Sequence, residues 1–561
     1  ISLFVCVGSN YNILLLCCTI FDMKFLFRIF LISALLLFII SCARRSSPTG
    51  GLKDSIPPVL TRANPKMNTT LFDKDEIELV FDEYIQMKDL RRQLIISPPI
   101  EKNSYKIKPS ESVVSKKIEI QLLDSLDENT TYTFNFGNSI ADYNEGNLFP
   151  FFYYAFSTGP KLDSLEIKGK INDALDKDTE SFISVYLYPA DSTFNDSTIF
   201  LKKPFYVTST LDSVIYNFKN IREGKYEIIA IKDEAANYLF DQNIDKIGFV
   251  EKPITLPKDS VIDFTIFKER ENFFWGRPFF VNKNRLGVQY FGDLTNMKEL
   301  KLTSEVSENF ISLMNKDRVK DTINYWFKGL DVDSLQFSLQ EVDTIRNSTV
   351  KFRETKEKDS LILRSLSQGI IEFKDTFKIS SNIPIIKIDK EFIDIKNVDS
   401  IKVPFDVSLD ENYDIVNILF EVEPNDDYEI SIYPGAIIDF FDNSNDTIKY
   451  GVQSRDIEYY GNIFLQLIRE NSESFIIELL DNNFNVVRKE NTFNETDLYI
   501  FKYLSPGDYY IRYIKDSNNN GRWDTGNYLK KLQPEKVIYF PNKLNLRSNW
   551  DLNENFFIKK N

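Results

Sequence analysis

The stretch Phe501–Asn527 (FKYLSPGDYYIRYIKDSNNNGRWDTGN) restates an earlier one, Phe218–Asn243 (FKNIREGKYEIIAIKDEAANYLFDQN). At one constant offset they share Phe218/Phe501, Lys219/Lys502, Gly224/Gly507, Tyr226/Tyr509, Ile228/Ile511, Ile231/Ile514, Lys232/Lys515, Asp233/Asp516, Asn237/Asn520 and Asp241/Asp524. Each copy reads as a hydrophobic alternation, a Gly-containing turn, a second alternation and a loop rich in Asp or Asn. Period two marks strands, and an internal repeat has to be recognised before any fold is assigned. The chain is therefore expected to carry a duplicated β-sandwich.

The rest of the sequence agrees. At about 100–200 residues per domain, 561 residues imply several cores. Its 47 Phe and 28 Tyr, with Ile, Val and Thr abundant, suit pleated half-buried surfaces. The expected class is all-β: a multidomain string of β-sandwiches. Histidine is absent, and the four cysteines are Cys6, Cys17, Cys18 and Cys42. This excludes Ser-His-Asp and Cys-His catalysis and His-ligated metal, and leaves no thiol chemistry beyond Cys42. Net charge is −15, and because Asp22, Lys24 and Arg28 sum to +1, the chain from Cys42 onward carries −16. An acidic body with no basic, aromatic-interleaved cluster repels phosphate backbones, so nucleic acid is rejected as a partner.

Residues 1–22 are apolar and lack an initiator Met, and read as an upstream extension of the gene. Met23-Lys24, Arg28, the apolar run Ile29–Ile40 and Ser41 then form a secretory signal over 23–41. The run is short for a membrane span, which needs about 20 residues. Ile39-Ile40-Ser41-Cys42 resembles the bacterial lipoprotein signal, with Ile39 where that family usually has Leu. The resemblance implies that Cys42 is acylated and anchored in the outer-membrane lipid leaflet. Residues 42–58, rich in Gly, Pro and Ser, are a flexible tether. Which side of the membrane the body faces stays open. Ala43-Arg44-Arg45 is basic, whereas surface lipoproteins of Bacteroidota tend to be acidic there.

Pro48–Pro58, Ile77–Ile85, Leu94–Pro99, Tyr132–Phe136, Ile140–Asp142 and Phe156–Gly159 together resemble the SbsA-type bacterial Ig-like domain of Bacteroidota lipoproteins. That resemblance covers 42 to about 160. It implies a sandwich over 59–160 and supplies no catalytic residue. Residues 161–268 hold the first copy of the repeat. Its Gly-x-Tyr-x-Ile phrase after a turn resembles the transthyretin-like, or carboxypeptidase-regulatory-like, sandwich. Residues 272–365 read as a further β-rich domain, with a short helix at Thr303–Asp317 and an exposed hairpin at Glu341–Asp359. In 366–450, Tyr428–Ile432 and Pro434–Asp439 echo Tyr132–Asp142 with one extra residue, as in a second Ig-like unit. Residues 452–561 hold the second transthyretin-like copy, with Phe475–Leu480 as the counterpart of Ser184–Tyr188.

One constellation has cation chemistry. Asp516, Asn518, Asn520, the Arg522 carbonyl and Asp524 alternate oxygens ahead of and beyond Gly521, as a calcium loop does. Asn527 stands where a bidentate Glu would be, so binding would be weak. The plainer reading is an Asx-rich turn. The loop at 233–241 keeps Asp233, Asn237 and Asp241 but has Ala235, Ala236 and Tyr238, and is not expected to bind. Asp82-Glu83, or Glu76 with Glu78, would be the pair of a carboxylate hydrolase, but with 83 acidic residues such neighbours usually mark solvated strands. Phe149–Tyr154 with Phe156, and Phe273–Trp275 with Phe279-Phe280, are core or sugar-stacking candidates.

These readings point to a non-catalytic, lipid-anchored cell-envelope protein that binds or scaffolds a protein partner, as an accessory lipoprotein of an outer-membrane assembly or secretion complex would. The alternatives are a glycan-binding surface lipoprotein and, behind it, a carboxylate-based hydrolase. Pocket shape, flat aromatic platforms and paired carboxylates discriminate among them.

Overall fold

The computed structural model describes residues 54–329, 332–341, 344–353, 360–367, 369–469, 473–491 and 497–559. The expected signal, Cys42 and the tether up to Lys53 lie outside them. The first sandwich comprises β1 (Leu60–Asn64), β2 (Glu76–Met87), β3 (Ile95–Ser97), β4 (Tyr105–Lys108), β5 (Ser115–Leu122), β6 (Thr131–Asn135), β7 (Ile140–Asp142) and β8 (Tyr153–Ser157). One sheet runs β1-β2-β5-β4, with β7 also on β2, and the other runs β3-β6-β8. Along β2, Ile77, Leu79, Phe81, Ile85 and Met87 are buried while their neighbours face outward. That alternation closes a core with Ile118, Ile120, Phe134, Tyr154 and Phe156 from the other strands.

The first repeat sandwich follows as β9 (Leu165–Asp173), β10 (Ser184–Pro189), β11 (Tyr206–Ser209), β12 (Ile215–Ile221), β13 (Gly224–Lys232), β14 (Lys246–Phe249), β15 (Ile254–Leu256) and β16 (Phe264–Lys268). They form one path, β11-β10-β13-β14-β16-β9-β12, with β15 added on β13 and β16 parallel to β9. The path curls around a single core, so Tyr206 of β11 and Tyr216 and Phe218 of β12 meet inside it. Its two ends, β11 and β12, face each other across a seam where Thr208 Oγ1 donates to the Asn217 carbonyl at 2.9 Å.

Among the described residues, the second repeat sandwich reproduces these strand pairings in two separate sheets, without a counterpart of the β14–β16 link. Gly461–Arg469 pairs antiparallel with Leu498–Leu504 and parallel with Asp551–Ile558, as β9 does with β12 and β16. Gly507–Lys515 pairs with Phe475–Leu480, Val537–Tyr539 and Leu544–Leu546, as β13 does with β10, β14 and β15. Gly224 faces Leu256 and Gly507 faces Leu546. The Tyr226 hydroxyl donates to the Arg222 carbonyl at 3.0 Å, and Tyr509 repeats the bond to Ser505 at 2.7 Å.

The other sandwich type is also present twice. Leu363–Ser365, Phe377–Ser381, Ile415–Phe420 and Phe405–Leu409 form one sheet and Ile393–Lys396, Asp427–Ile432 and Ile448–Gln453 another, in the orders of β1-β2-β5-β4 and β3-β6-β8. What pairs here with Ile437–Asp439, the counterpart of β7, is the separate strand Ile385–Ile388. The detail carries over as well. Tyr132 Oη accepts the Asp127 N–H at 3.0 Å, and Tyr428 Oη accepts that of Glu423 at 2.7 Å. Thr158 Oγ1 accepts from Thr130 N and donates to Asp127 O, and Ser454 Oγ does the same with Asp426 and Glu423. Buried Asp142 and Asp439 each hold the turn that follows them, through the N–H groups of Glu145, Gly146 and Asn147 and of Phe441 and Asn443. Burial alone would raise the Asp142 pKa, but these backbone donors hold it below its ordinary value.

Between the two pairs stands a middle sandwich. Its four-stranded sheet is Phe274–Asn282, Arg285–Phe291, Thr322–Lys328 and Ile311–Lys316, and its three-stranded sheet is Leu300–Leu302, Ser334–Gln340 and Ile345–Lys351. One sequence expectation is corrected here. No helix forms in Thr303–Asp317: Ile311–Lys316 is a strand on Thr322–Lys328. Phe310 packs against the core from the preceding loop, while Leu313 packs beside Trp326. Among the described residues a hairpin joins Ser334–Gln340 and Ile345–Lys351, with Glu341 at its turn, and residues 354–359 of the expected hairpin lie outside the described residues. In the first of these strands the alternating Leu335, Phe337 and Leu339 are buried.

Candidate functional site

The loop after Gly507–Lys515 brings Asp516, Asn518, Asn520 and Asp524 together, as their spacing suggested, but each is engaged within the protein. Asp516 is buried, and its Oδ1 and Oδ2 accept the N–H groups of Asn520 at 3.0 Å and Gly521 at 2.8 Å. The side-chain amides of Asn518 and Asn520 both donate to Asp524 Oδ2 at 2.6 Å. Asn520 Oδ1 accepts the Arg522 N–H at 2.9 Å. Gly521 has φ +72°, a left-handed conformation that costs glycine nothing sterically.

The first copy explains why the loop has this shape. Asp233 accepts the N–H groups of Asn237 and Tyr238, the positions equivalent to Asn520 and Gly521, and Tyr238 takes φ 65° where Gly521 stands. Both loops are closed by a carboxylate that the ungapped comparison misses. Asp245 accepts from Glu234 N and Asp241 N, and Glu535 accepts from the equivalent Ser517 N and Asp524 N. A copy without the middle oxygens therefore adopts the same capped loop. Among the described residues no group of three Asp or Glu converges as a metal cluster.

What differs in the second copy is where the loop goes. Arg270, just after β16, puts Nη2 3.0 Å from Asp524 Oδ1 and donates to the Trp523 carbonyl at 2.7 Å. Thr525 Oγ1 donates to the Lys268 carbonyl at 2.6 Å, and Gln533 Nε2 to that of Phe249 at 2.9 Å. The Tyr528 N–H donates to buried Glu269, whose other oxygen accepts from Gln242. Burial raises the Glu269 pKa. The Tyr528 ring meets Phe249 edge-on at 5.4 Å, joins the apolar cluster of Phe240, Ile247 and Phe267, and carries Lys531 Nζ 3.8 Å above it. Tyr539 Oη adds a bond to the Leu175 carbonyl at 2.9 Å. The loop is a clasp between the two repeat sandwiches. Sequence reasoning found its acidic and amide residues and missed Glu269, Arg270 and Tyr528, whose partners are distant in the chain, and Glu535, which stands at a different offset from its counterpart Asp245.

The other candidates disperse. Glu78 pairs with Arg62 at 2.5 Å and Lys117 at 3.5 Å on an open sheet face, Glu76 is exposed, and Asp82 caps the Val59 N–H at 2.8 Å. Phe152, Tyr154 and Phe156 are core, with Phe149 packed against it, and Phe151 is exposed. Phe273 and Trp275 are buried, whereas Phe274 stacks on Phe291 at the surface with ring centroids 4.7 Å apart. Exposed Phe279 lies over Gly287, where a Cβ would come within 2.4 Å of its ring.

The first sandwich is two sheets of short antiparallel strands around one aromatic core. Residues 54–158 match the bacterial Ig-like domain family Big_5. No curated protein matches the chain. Among solved structures, the Bacillus anthracis TIE protein is 11% identical over 91% of this chain and 76% of its own, with a TM-score of 0.15. The BcpA major pilin subunit of Bacillus cereus is 8% identical over 70% and 99%, at 0.14. The surface layer protein SbsC, domains 1–6, is 9% identical over 88% and 68%, at 0.14. At such scores the likeness transfers neither activity nor partner.

The region matching the bacterial Ig-like domain is itself fixed to the first repeat sandwich. At one end Gln93 Nε2 and Asn138 Nδ2 donate to Asp212 Oδ2 at 2.8 and 2.9 Å. At the other, Thr131 Oγ1 donates to buried Asp163 at 2.9 Å and Arg222 to the Asn129 carbonyl. Middle and fourth sandwiches are joined likewise, by Arg318 to Asp414 at 2.5 Å and by Trp326 packed with Ile383 and Phe440.

Proposed function

We propose that this chain is a non-catalytic scaffold of the cell envelope, anchored by acylated Cys42 in the outer-membrane lipid leaflet and holding a protein partner in an assembly or secretion complex. The observation that carries this reading is the clasp. Sandwiches far apart in sequence are locked by an ion pair, backbone hydrogen bonds and a buried tyrosine, which suits a body that presents a fixed surface. Of the carboxylates a hydrolase would use, Glu78 is tied to Arg62 and Lys117 and Asp82 to the Val59 N–H, while Glu76 lies exposed and Glu83 has its pKa raised by burial and by the neighbouring carboxylates of Asp142, Asp82, Asp54 and Glu145. Two experiments test the reading. Fatty-acid labelling should mark the protein and vanish in Cys42→Ala, which should leave the membrane fraction. Affinity capture of the native protein from solubilised outer membrane should recover a stoichiometric protein partner. Recovery only as a free monomer would sink the assembly role, and retention of Cys42→Ala in the membrane would sink the anchor.

A further inference from the structure

A cavity of about 420 Å³ lies between the Ig-like region and the first repeat sandwich, bounded by the two hydrogen-bonded joints just described. Because both ends are fixed, the space between them is preformed. The seam strands enter it edge-on, with residues 207–211 and 215–219 lining it without a break, while β3 and β6 present alternate residues from one face. One backbone group on each seam strand is already taken by a hydroxyl. The Val207 N–H donates to Ser97 Oγ at 3.0 Å and the Asn217 carbonyl accepts from Thr208 Oγ1 at 2.9 Å. That leaves an incoming extended peptide poorly placed to add a strand.

The chemistry of the walls selects the ligand. In a chain with 83 acidic residues the lining includes no carboxylate, and its one cation, Lys219, holds Nζ 4.3 Å over the Tyr153 ring. The polar positions are neutral hydroxyls and amides, among them Thr133, Asn135 and exposed Asn217, set beside the ring of Tyr153. At the mouth Phe151 is 59% exposed and sits at φ 54°, where a bulky side chain is strained. Neutral hydrogen-bonding groups beside aromatic rings suit a ligand with apolar faces and a hydroxylated edge, in a volume typical of small-molecule sites.

We infer that this cavity binds a neutral sugar, as a mono- or disaccharide unit, stacked on Tyr153 and Phe151 and hydrogen-bonded by Asn217, Asn135 and Thr133. The inference goes beyond the scaffold reading, which stands whether or not the cavity is filled. The test is calorimetry and ligand-observed NMR on the intact chain. The probes are glucose, galactose, mannose, N-acetylglucosamine and their β-1,4-linked disaccharides, with a Ser/Thr-rich extended peptide as competitor. At least one sugar should bind saturably. Asn217→Ala, at an exposed side chain, and Tyr153→Ala should each weaken it by about ten-fold or more, with melting temperature unchanged for Asn217→Ala. Phe274→Ala, on the distant aromatic pair, should bind as the parent does. Binding of no probe sugar, binding indifferent to both cavity substitutions, or binding of the peptide in place of the sugars would overturn the inference.

Discussion

Arg270 and Asp524 stand 254 residues apart and meet at 3.0 Å. Arg270 also donates to the carbonyl beside Asp524, so one guanidinium holds both a side chain and the main chain of the loop. The pair is only partly shielded, which keeps its worth below that of a buried ion pair. Arg270→Ala should therefore cost about 1–2 kcal/mol in denaturant unfolding, with Asp524→Asn costing at least as much, because the amide keeps one acceptor and sets an NH2 against either the Arg270 guanidinium or the Asn518 and Asn520 amides. A double-mutant cycle should return a favourable coupling. Additive losses would mean that the two residues do not act together.

The same ion pair governs the calcium question. A dication at Asp516, Asn518, Asn520, the Arg522 carbonyl and Asp524 would have to share Asp524 with the Arg270 guanidinium, and would need both Asn side chains to turn their oxygens inward. The first copy builds the same loop with Ala235 and Ala236 in place. Thermal unfolding with excess calcium should match that with chelator in the parent protein. A calcium-dependent rise in melting temperature, lost in Asp524→Asn, would instead establish the site.

Two loop glycines should answer differently to alanine. At Gly521 the only obstacle is the left-handed backbone and a contact of 3.1 Å to an Asn491 amide, and Tyr238 tolerates that conformation in the first copy. Gly521→Ala should cost about 1 kcal/mol. At Gly526 an added Cβ would lie 2.5 Å from Phe267 and 2.6 Å from the Leu532 carbonyl. Gly526→Ala should cost more, about 1–3 kcal/mol by overpacking, and should weaken the clasp itself. Equal melting temperatures for the two variants would contradict this ordering.

The contrast shows what could be read from the chain. Alternation at Ile77, Leu79 and Phe81, and the ungapped match of Tyr226 with Tyr509, were enough for the sandwiches and their duplication, because local periodicity encodes which face is buried. The helix expected at Thr303–Asp317 gave way to the strand Ile311–Lys316, because pairing with Thr322–Lys328 is a tertiary contact that local sequence does not show. Glu535 and Asp245 close equivalent loops from different offsets, so a register comparison passes over them. The clasp was illegible for a different reason: Arg270 and Tyr528 are ordinary residues locally, and only tertiary docking gives them partners.

The repeated tyrosine bonds should be energetically equivalent as well as geometrically so. Tyr226→Phe and Tyr509→Phe each remove one hydroxyl donor to a carbonyl four residues earlier, and Tyr132→Phe and Tyr428→Phe each remove an acceptor from a turn N–H. Each should cost about 0.5–1.5 kcal/mol. The turn pair belongs at the upper end if removal strands the N–H of Asp127 or Glu423. A tyrosine whose loss is silent while its counterpart's is not would show that the copies have diverged in stability.

Glu269 gives the clasp a pH dependence of definite sign. Burial raises its pKa above the ordinary 4.5, so the folded state keeps this proton to higher pH than the unfolded chain does. Its contribution to stability is then fullest at pH below about 4.5 and declines as pH rises through the folded pKa. Other carboxylates, Asp142 among them, work in the opposite direction, so the signal has to be read as a difference. Glu269→Gln keeps an acceptor for the Tyr528 N–H, and Gln242 can turn its amide to satisfy the new side chain. Relative to the parent, this variant should gain stability as pH is raised from about 4.5 toward neutrality. A stability difference between Glu269→Gln and the parent that stays constant across that range would show that Glu269 is ionised alike in the folded and unfolded chains.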